Sequence, residues 1–192
     1  MQREVVLTGI GGQGVQLAAK TLAMAATAEG RQVMMSSHYG GEMRGGQTEA
    51  SIIVSDDRLR PVPILESTWS AYVMHHRYWP GVAARLRPGG LAVVNSSVTG
   101  DELTAEGAEV VPVAAGDIAA GLGSPMAAGF VLLGAYVSVA GLARLESLVD
   151  AMKELVPPYR TQHLAINEAA LRAGAQAGTE AGAARAGSEV GR

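Results

Sequence analysis

Val5-Val6-Leu7-Thr8-Gly9-Ile10-Gly11-Gly12-Gln13-Gly14-Val15 is the stretch on which the fold turns. Its first four residues form a short β-branched run that stops at a glycine, the pattern of a buried parallel strand. Beyond Gly14, the residues Val15, Ala18, Ala19, Leu22, Ala25 and Ala26 recur on one stripe, which predicts a helix over 14–29. Gly30 stands where a left-handed C-terminal cap belongs. Between strand and helix, Gly9, Gly11 and Gly14 satisfy G-x-G-x-x-G. In that setting the motif predicts a Rossmann-like first turn, because glycine permits a tight bend and the N–H groups at the helix start can hold an anion. A dinucleotide site also wants an acidic residue at the end of the second strand, about 20 residues on. Here that strand ends Ser36-Ser37-His38, and the next acid is Glu42 inside a loop, which weighs against NAD. Two readings stay open at this point: a loop that holds a phosphate-bearing ligand, and glycines that only let strand and helix pack closely.

Working outward, strands are expected at Gln32–Ser36, Glu49–Val54, Ala71–His75, Leu91–Asn95 and Val110–Val113. Arg87-Pro88-Gly89-Gly90 is a turn signal, and Ser124-Pro125 is a helix start with an N-cap serine and proline at the first helical position. Helices are expected over Met126–Ala140, Leu145–Leu155 and Gln162–Ala173, broken by Gly141 and Pro157-Pro158. Alternating strands and helices give a three-layer α/β fold, with a Rossmann-like, mostly parallel sheet and helices on both faces. One domain should span 1–177. From about Gly174 the chain is low in complexity and without apolar period, so 178–192 is expected to be a disordered tail.

The 192 residues carry a net charge of -3, 48% hydrophobic residues and no cysteine, which removes several function classes. Without cysteine there is no disulfide framework, no thiolate zinc or iron–sulfur site on this chain and no thiol nucleophile. Scattered Lys and Arg leave no footprint for nucleic acid. The N-terminus lacks the features of a signal peptide, and Met126–Ala143 suits a buried helix better than a membrane span, so a cytoplasmic protein is expected. No G-x-S-x-G or Ser/His/Asp pattern supports hydrolysis. His75 and His76 are adjacent, which on a strand would point them to opposite faces and argues against a shared metal. Asn95 and Ser96 lie at the carboxyl end of a strand, where open α/β sheets bind ligands, and are candidate ligand contacts.

The second glycine cluster is His38-Tyr39-Gly40-Gly41-Glu42-Met43-Arg44-Gly45-Gly46-Gln47. One aromatic, an acid and a base on glycine-rich backbone suit a loop that approaches a phosphate-bearing ligand or a partner chain, although a solvated loop with an internal Glu42–Arg44 pair has the same composition. Taken together, GIGGQG and YGGEMRGGQTEASIIVSD resemble the gamma subunit of 2-oxoacid:ferredoxin oxidoreductases. The resemblance runs through the Pro88–Gly90 turn into MAAGFVLLGAYVSVAGL, LVDAMKELV and LAINEAALRAGAQAG, covering roughly 5–177. It implies a subunit rather than a complete enzyme. Thiamine diphosphate and magnesium would sit on alpha and beta partners, iron–sulfur clusters on cysteine-bearing chains, with a ferredoxin-like delta subunit and ferredoxin as further partners. The gamma chain would belong to the coenzyme A side of the reaction. By matching position, Gly9, Gly11, Gly12, Gln13 and Gly14 would form the first loop of the site, and Tyr39, Gly40, Glu42, Arg44, Gly45 and Gly46 the second. Arg44 would be the contact to phosphate or carboxylate. The Glu-Met-Arg-Gly-Gly wording leans toward 2-oxoglutarate over pyruvate. Gly41 stands where many relatives have proline, and Ser67–Tyr78 matches the family poorly. The rival is a stand-alone NADP- or flavin-binding oxidoreductase built on the first loop.

Overall fold

β1 (Gln2–Ile10) runs through the buried apolar stretch and leads by the first glycine loop into α1 (Val15–Ala28). The computed structural model describes residues 1–39, 45–59, 65–98 and 102–189, with backbone alone at 39 and 184–189. β2 (Gln32–Tyr39) and β3 (Gln47–Ser55) follow, then β4 (Thr68–Val73), α2 (Trp79–Ala83), β5 (Leu86–Asn95), β6 (Glu109–Val113) and α3 (Ala115–Gly121). α4 (Ala128–Ala140), α5 (Leu145–Leu155) and α6 (Leu164–Glu189) complete the described chain.

The strands form one six-stranded sheet in the order β2-β3-β1-β4-β5-β6. β1, β4, β5 and β6 pair in parallel, whereas β3 runs antiparallel to both β1 and β2. The simple alternation expected from the sequence therefore fails at one strand. Residues 40–46 are too few for a parallel crossover, which needs about a dozen or more, so β2 and β3 pair as a hairpin from Tyr39↔Thr48 to Gln32↔Ser55. Arg87-Pro88-Gly89-Gly90 is absorbed into β5 as an irregularity: Thr68 pairs with Leu86 but Ser70 with Leu91. Gly89 has a φ of 72°, the left-handed region open to glycine.

The two faces of the sheet are covered differently. On one, Leu7, Ile52, Tyr72 and Val93 pack with Leu22 of α1, Leu132 and Leu133 of α4, Leu148 of α5 and Leu171 of α6 in a single large core. On the other, Ala71, Val73, Ala92, Val94 and Val110 meet Trp79 and Val82 of α2. That smaller face carries charge beside it: Arg87 pairs with the nearly buried Glu4, and Arg85 with Glu49 at 2.7 Å.

α6 continues through residues expected to be a tail. The reason lies in the small side chains that made the segment look featureless. A β-carbon built on Gly174 would land on the Val131 carbonyl, and one on Gly178 would lie 2.6 Å from the Ala135 carbonyl oxygen, so α4 and α6 touch backbone to backbone. Gly134 of α4 approaches Leu171 in the same way. Among the described residues no helix is long and apolar enough to cross a membrane.

Candidate functional site

At the carboxyl end of β1 the chain turns on three glycines with different duties. Gly9 lacks room: a β-carbon there would sit 2.8 Å from Gln13 Oε1 and 2.9 Å from both Met74 Cβ and Val15 Cγ2. Gly12 and Gly14 have open space but φ angles of 101° and 77°, which side-chain-bearing residues rarely adopt. Gln13 braces the turn. The Ile10 N–H donates to Gln13 Oε1 at 2.8 Å, and the Gln13 N–H donates to the Ile10 carbonyl at 3.1 Å. Gly14 opens α1 without any capping side chain. Gln16 in the first turn is tied down, its Nε2 donating to the Glu49 carbonyl and its Oε1 accepting from Ser37.

The structure brings the two glycine clusters together. The Gly11 N–H donates to the Gly46 carbonyl at 2.9 Å, and a β-carbon on Gly11 would be 3.6 Å from Thr48 Oγ1 and 3.7 Å from the Gly45 nitrogen. Gly45 has a φ of 75°. Gly40, Glu42 and Arg44 lie outside the described residues, and at Tyr39 only the backbone is described, as the last residue of β2.

Asn95 has an internal use. It is 3% exposed, its Nδ2 donates to the Met74 carbonyl at 3.3 Å, and its Oδ1 accepts from the N–H groups of Ser97 and Gly116 at 3.2 and 3.3 Å. One amide therefore fixes the loops after β4, β5 and β6. Ser96 is half-buried in the short turn that follows β5. Its neighbour Ser97 caps α3 by accepting from the Asp117 N–H, while its hydroxyl donates to Asp117 Oδ2, both at 3.0 Å.

Sequence reasoning missed the loop after β4. β4 stops at Val73, so His75 and His76 do not alternate across a strand; their rings stack with centroids 4.5 Å apart. The Met74 N–H donates to the Thr8 carbonyl, and Met74 lies beside Gly9, which sets the loop next to the first glycine turn. Burial first, then the charges of His76 and Arg77, hold the His75 imidazole below its ordinary pKa and neutral at neutral pH. Only the strand order, which the sequence does not print, puts β4 against β1. The chain leaves β1 toward β2 on one side and β4 toward β5 on the other, so the crevice between β1 and β4 is the topological switch point where such sheets bind ligands. Among the described residues no group of three or more His, Asp or Glu could hold a metal.

Comparison with known proteins accords with this arrangement. Residues 4–177 match the model of the family described as pyruvate ferredoxin/flavodoxin oxidoreductase. The common gamma subunit of the pyruvate/ketoisovalerate oxidoreductases of Thermococcus kodakarensis is 30% identical over 158 residues, 79% of this chain and 85% of that one. The 2-oxoglutarate synthase subunit KorC of Methanothermobacter marburgensis is 27% identical over 165 residues, covering 82% and 88%. Among solved structures, the gamma subunit of a keto/oxoacid ferredoxin oxidoreductase from Geobacter sulfurreducens superposes with a TM-score of 0.79 at 25% identity, over 93% of this chain and 99% of that one. The 2-oxoglutarate:ferredoxin oxidoreductase of Magnetococcus marinus, solved with 2-oxoglutarate, coenzyme A and succinyl-CoA bound, shares the fold with a TM-score of 0.84 at 18% identity, over 93% of this chain and 31% of that one. Joined glycine loops on a mixed six-stranded sheet, matched along nearly the whole domain, place this chain in the pyruvate ferredoxin/flavodoxin oxidoreductase family, as a member of its gamma-subunit type.

Proposed function

We propose that this chain serves a thiamine diphosphate-dependent 2-oxoacid:ferredoxin oxidoreductase by forming the coenzyme A side of its active site and by holding the complex together. The observation that carries this reading is the Gly11–Gly46 hydrogen bond. It joins the two motifs at the carboxyl edge of the sheet, where backbone N–H groups and the start of α1 suit a phosphorylated co-substrate. Gly9, Gly12, Gln13, Gly14 and Gly45 shape that edge, and by the family resemblance Tyr39, Gly40, Glu42 and Arg44 of the second motif would supply further contacts. The complex would decarboxylate the oxoacid, release two electrons to ferredoxin and transfer the acyl group to the coenzyme A thiol. The Glu42–Gly46 wording favours 2-oxoglutarate over pyruvate; relatives carry names for both.

The electron-carrying groups do not fit this chain. It has no cysteine to ligate a cluster, and its described residues assemble no carboxylate or imidazole set for magnesium. As the family resemblance implies, thiamine diphosphate, magnesium and the iron–sulfur clusters would sit on alpha and beta chains and a ferredoxin-like delta subunit, and this chain by itself would be inactive. A cytoplasmic location accords with that role. The test is capture of the tagged chain from its native cells. Co-purification of larger chains with thiamine diphosphate and iron, and dye reduction that requires both an oxoacid and coenzyme A, is the expected result. A panel of oxoacids in the same assay should give the highest kcat/KM with 2-oxoglutarate. A chain recovered alone with bound NADP or flavin would overturn the reading in favour of a stand-alone oxidoreductase.

A further inference from the structure

A corner of donor side chains around one fixed cation, Arg77, stands beside the first glycine turn, on the segment where this sequence departs from its family's pattern. The three residues are His75, His76 and Arg77, at the carboxyl end of β4. Three restraints hold the corner in place. Asn95 donates to the Met74 carbonyl from below, the Met74 N–H is bound to Thr8, and the short turn His76–Tyr78 packs against the end of β1. Trp79, 7% exposed, anchors the following helix by donating from Nε1 to the Thr104 carbonyl at 3.2 Å.

The side chains are arranged as donors. His75 Nδ1 accepts from the Arg77 N–H at 3.2 Å, which places the proton of the neutral ring on Nε2. His76 stacks on His75 and is exposed, and the Arg77 guanidinium lies 6.0 Å from the Tyr78 ring, also in solvent. None of the three takes part in an ion pair among the described residues. Among the described arginines, Arg31, Arg85, Arg87, Arg144 and Arg172 each hold a carboxylate, whereas Arg77 holds none. A rigid corner of unspent donors, at the switch point and next to anion-accepting backbone, is matched to a multiply charged phosphate.

We infer that His76 and Arg77 contact a phosphate group of coenzyme A, forming the wall of its site opposite the joined glycine loops, with Asn95 as the positioning residue behind them. This rests on the coenzyme A role proposed above and assigns it residues that neither glycine motif contains. Coenzyme A carries a pyrophosphate and a 3′-phosphate, whereas its pantetheine arm carries none, so the two substrates separate phosphate recognition from thiol placement.

The experiment uses the whole complex, with Arg77→Gln, His76→Gln/Arg77→Gln and the charge-conserving Arg77→Lys in this chain. Steady-state dye reduction is measured against coenzyme A, dephospho-coenzyme A and pantetheine. In the double variant we expect the KM for coenzyme A to rise at least tenfold, the KM for the oxoacid to move less than twofold and the KM for pantetheine to stay as in the wild type. Arg77→Lys should recover part of the loss. If dephospho-coenzyme A is unaffected too, the contact is to the 3′-phosphate; if it weakens like coenzyme A, the contact is to the pyrophosphate. An unchanged KM for coenzyme A in the double variant overturns the inference. So does an equal loss with pantetheine, which marks a structural role, or a complex that no longer co-purifies, which marks a surface for a partner chain. In each of these cases a wild-type complex that still needs coenzyme A leaves the proposed function standing. A wild-type complex indifferent to coenzyme A defeats that function instead.

Discussion

The first glycine turn and the α4–α6 seam use the same residue for opposite purposes. At Gly12, Gly14 and Gly45 there is space for a side chain, and glycine is required by backbone angle. At Gly134, Gly174 and Gly178 there is no space, because two helices meet through their carbonyls. The first use leaves backbone groups at an open edge of the sheet, and the second closes a core. A glycine count does not separate them; the neighbours of the missing β-carbon do.

The contrast can be broken at the seam. Gly174→Ala puts a methyl group into the Val131 carbonyl, which cannot yield as a flexible side chain would. Its cost should be at least about 3 kcal/mol, at the high end for overpacking, read as a lower urea midpoint. Gly182, also on α6, has nothing within 4 Å, so Gly182→Ala should be neutral or stabilising by up to about 1 kcal/mol. Equal effects at the two positions would mean that α6 does not pack as described.

Asn95→Ala comes next, since it strands a buried carbonyl and two N–H groups at once. A loss of about 2–3 kcal/mol is expected, with hydrogen exchange rising first in the loops after β4 and β6. Gly9→Ala should cost about 2–3 kcal/mol, because of its three close neighbours only Gln13 Oε1 ends a flexible side chain, whereas Met74 Cβ moves only with its backbone and Val15 is stiff. Its larger effect should be a weaker coenzyme A dependence in the complex.

The smallest effect lies on the solvent side of the same helix. Arg172 of α6 holds Glu146 of α5 at 2.7 Å, and Lys153 of α5 holds Glu168 of α6 at 2.8 Å. Hydrogen bonds from Arg172 lower the Glu146 carboxyl, and those from Lys153 and Arg172 lower that of Glu168, from an ordinary value of 4.5. Carboxyls depressed in the folded state stabilise it above about pH 4.5, and that contribution fades as pH falls through their lowered values. Melting temperature against pH should therefore drop on the acid side of pH 4.5, and Glu168→Gln should shallow the drop. Glu146 is exposed and Glu168 only half-buried, so the change should be modest.

Where the chain used large apolar residues at regular spacing, its structure was legible in advance. β1, α1, β3, α4 and α5 lie where the patterning of VVLT, the Val15–Ala26 stripe, EASIIV and the Ser124-Pro125 start put them. α6 was cut short because its contacts are made by glycine and alanine, which carry no hydrophobic period. α3 was missed for a related reason, as Ala115–Gly121 is a brief run of small residues anchored by Ser97. In the site, the glycine loops could be read from their motifs, but their junction through Gly11 and Gly46 depends on the β2–β3 hairpin. The placing of His75–Arg77 beside them depends on strand order. Asn95 looked like a ligand contact because of its position, whereas all three of its described bonds hold backbone.

The most direct test of the account is reconstitution from separated subunits, with this chain added last. Dye reduction dependent on both 2-oxoacid and coenzyme A should appear in proportion to the chain added and saturate at a fixed ratio to the partner chains. Partner chains that turn over at the same rate without it, or this chain reducing the dye alone with a nicotinamide or flavin cofactor, would contradict the account.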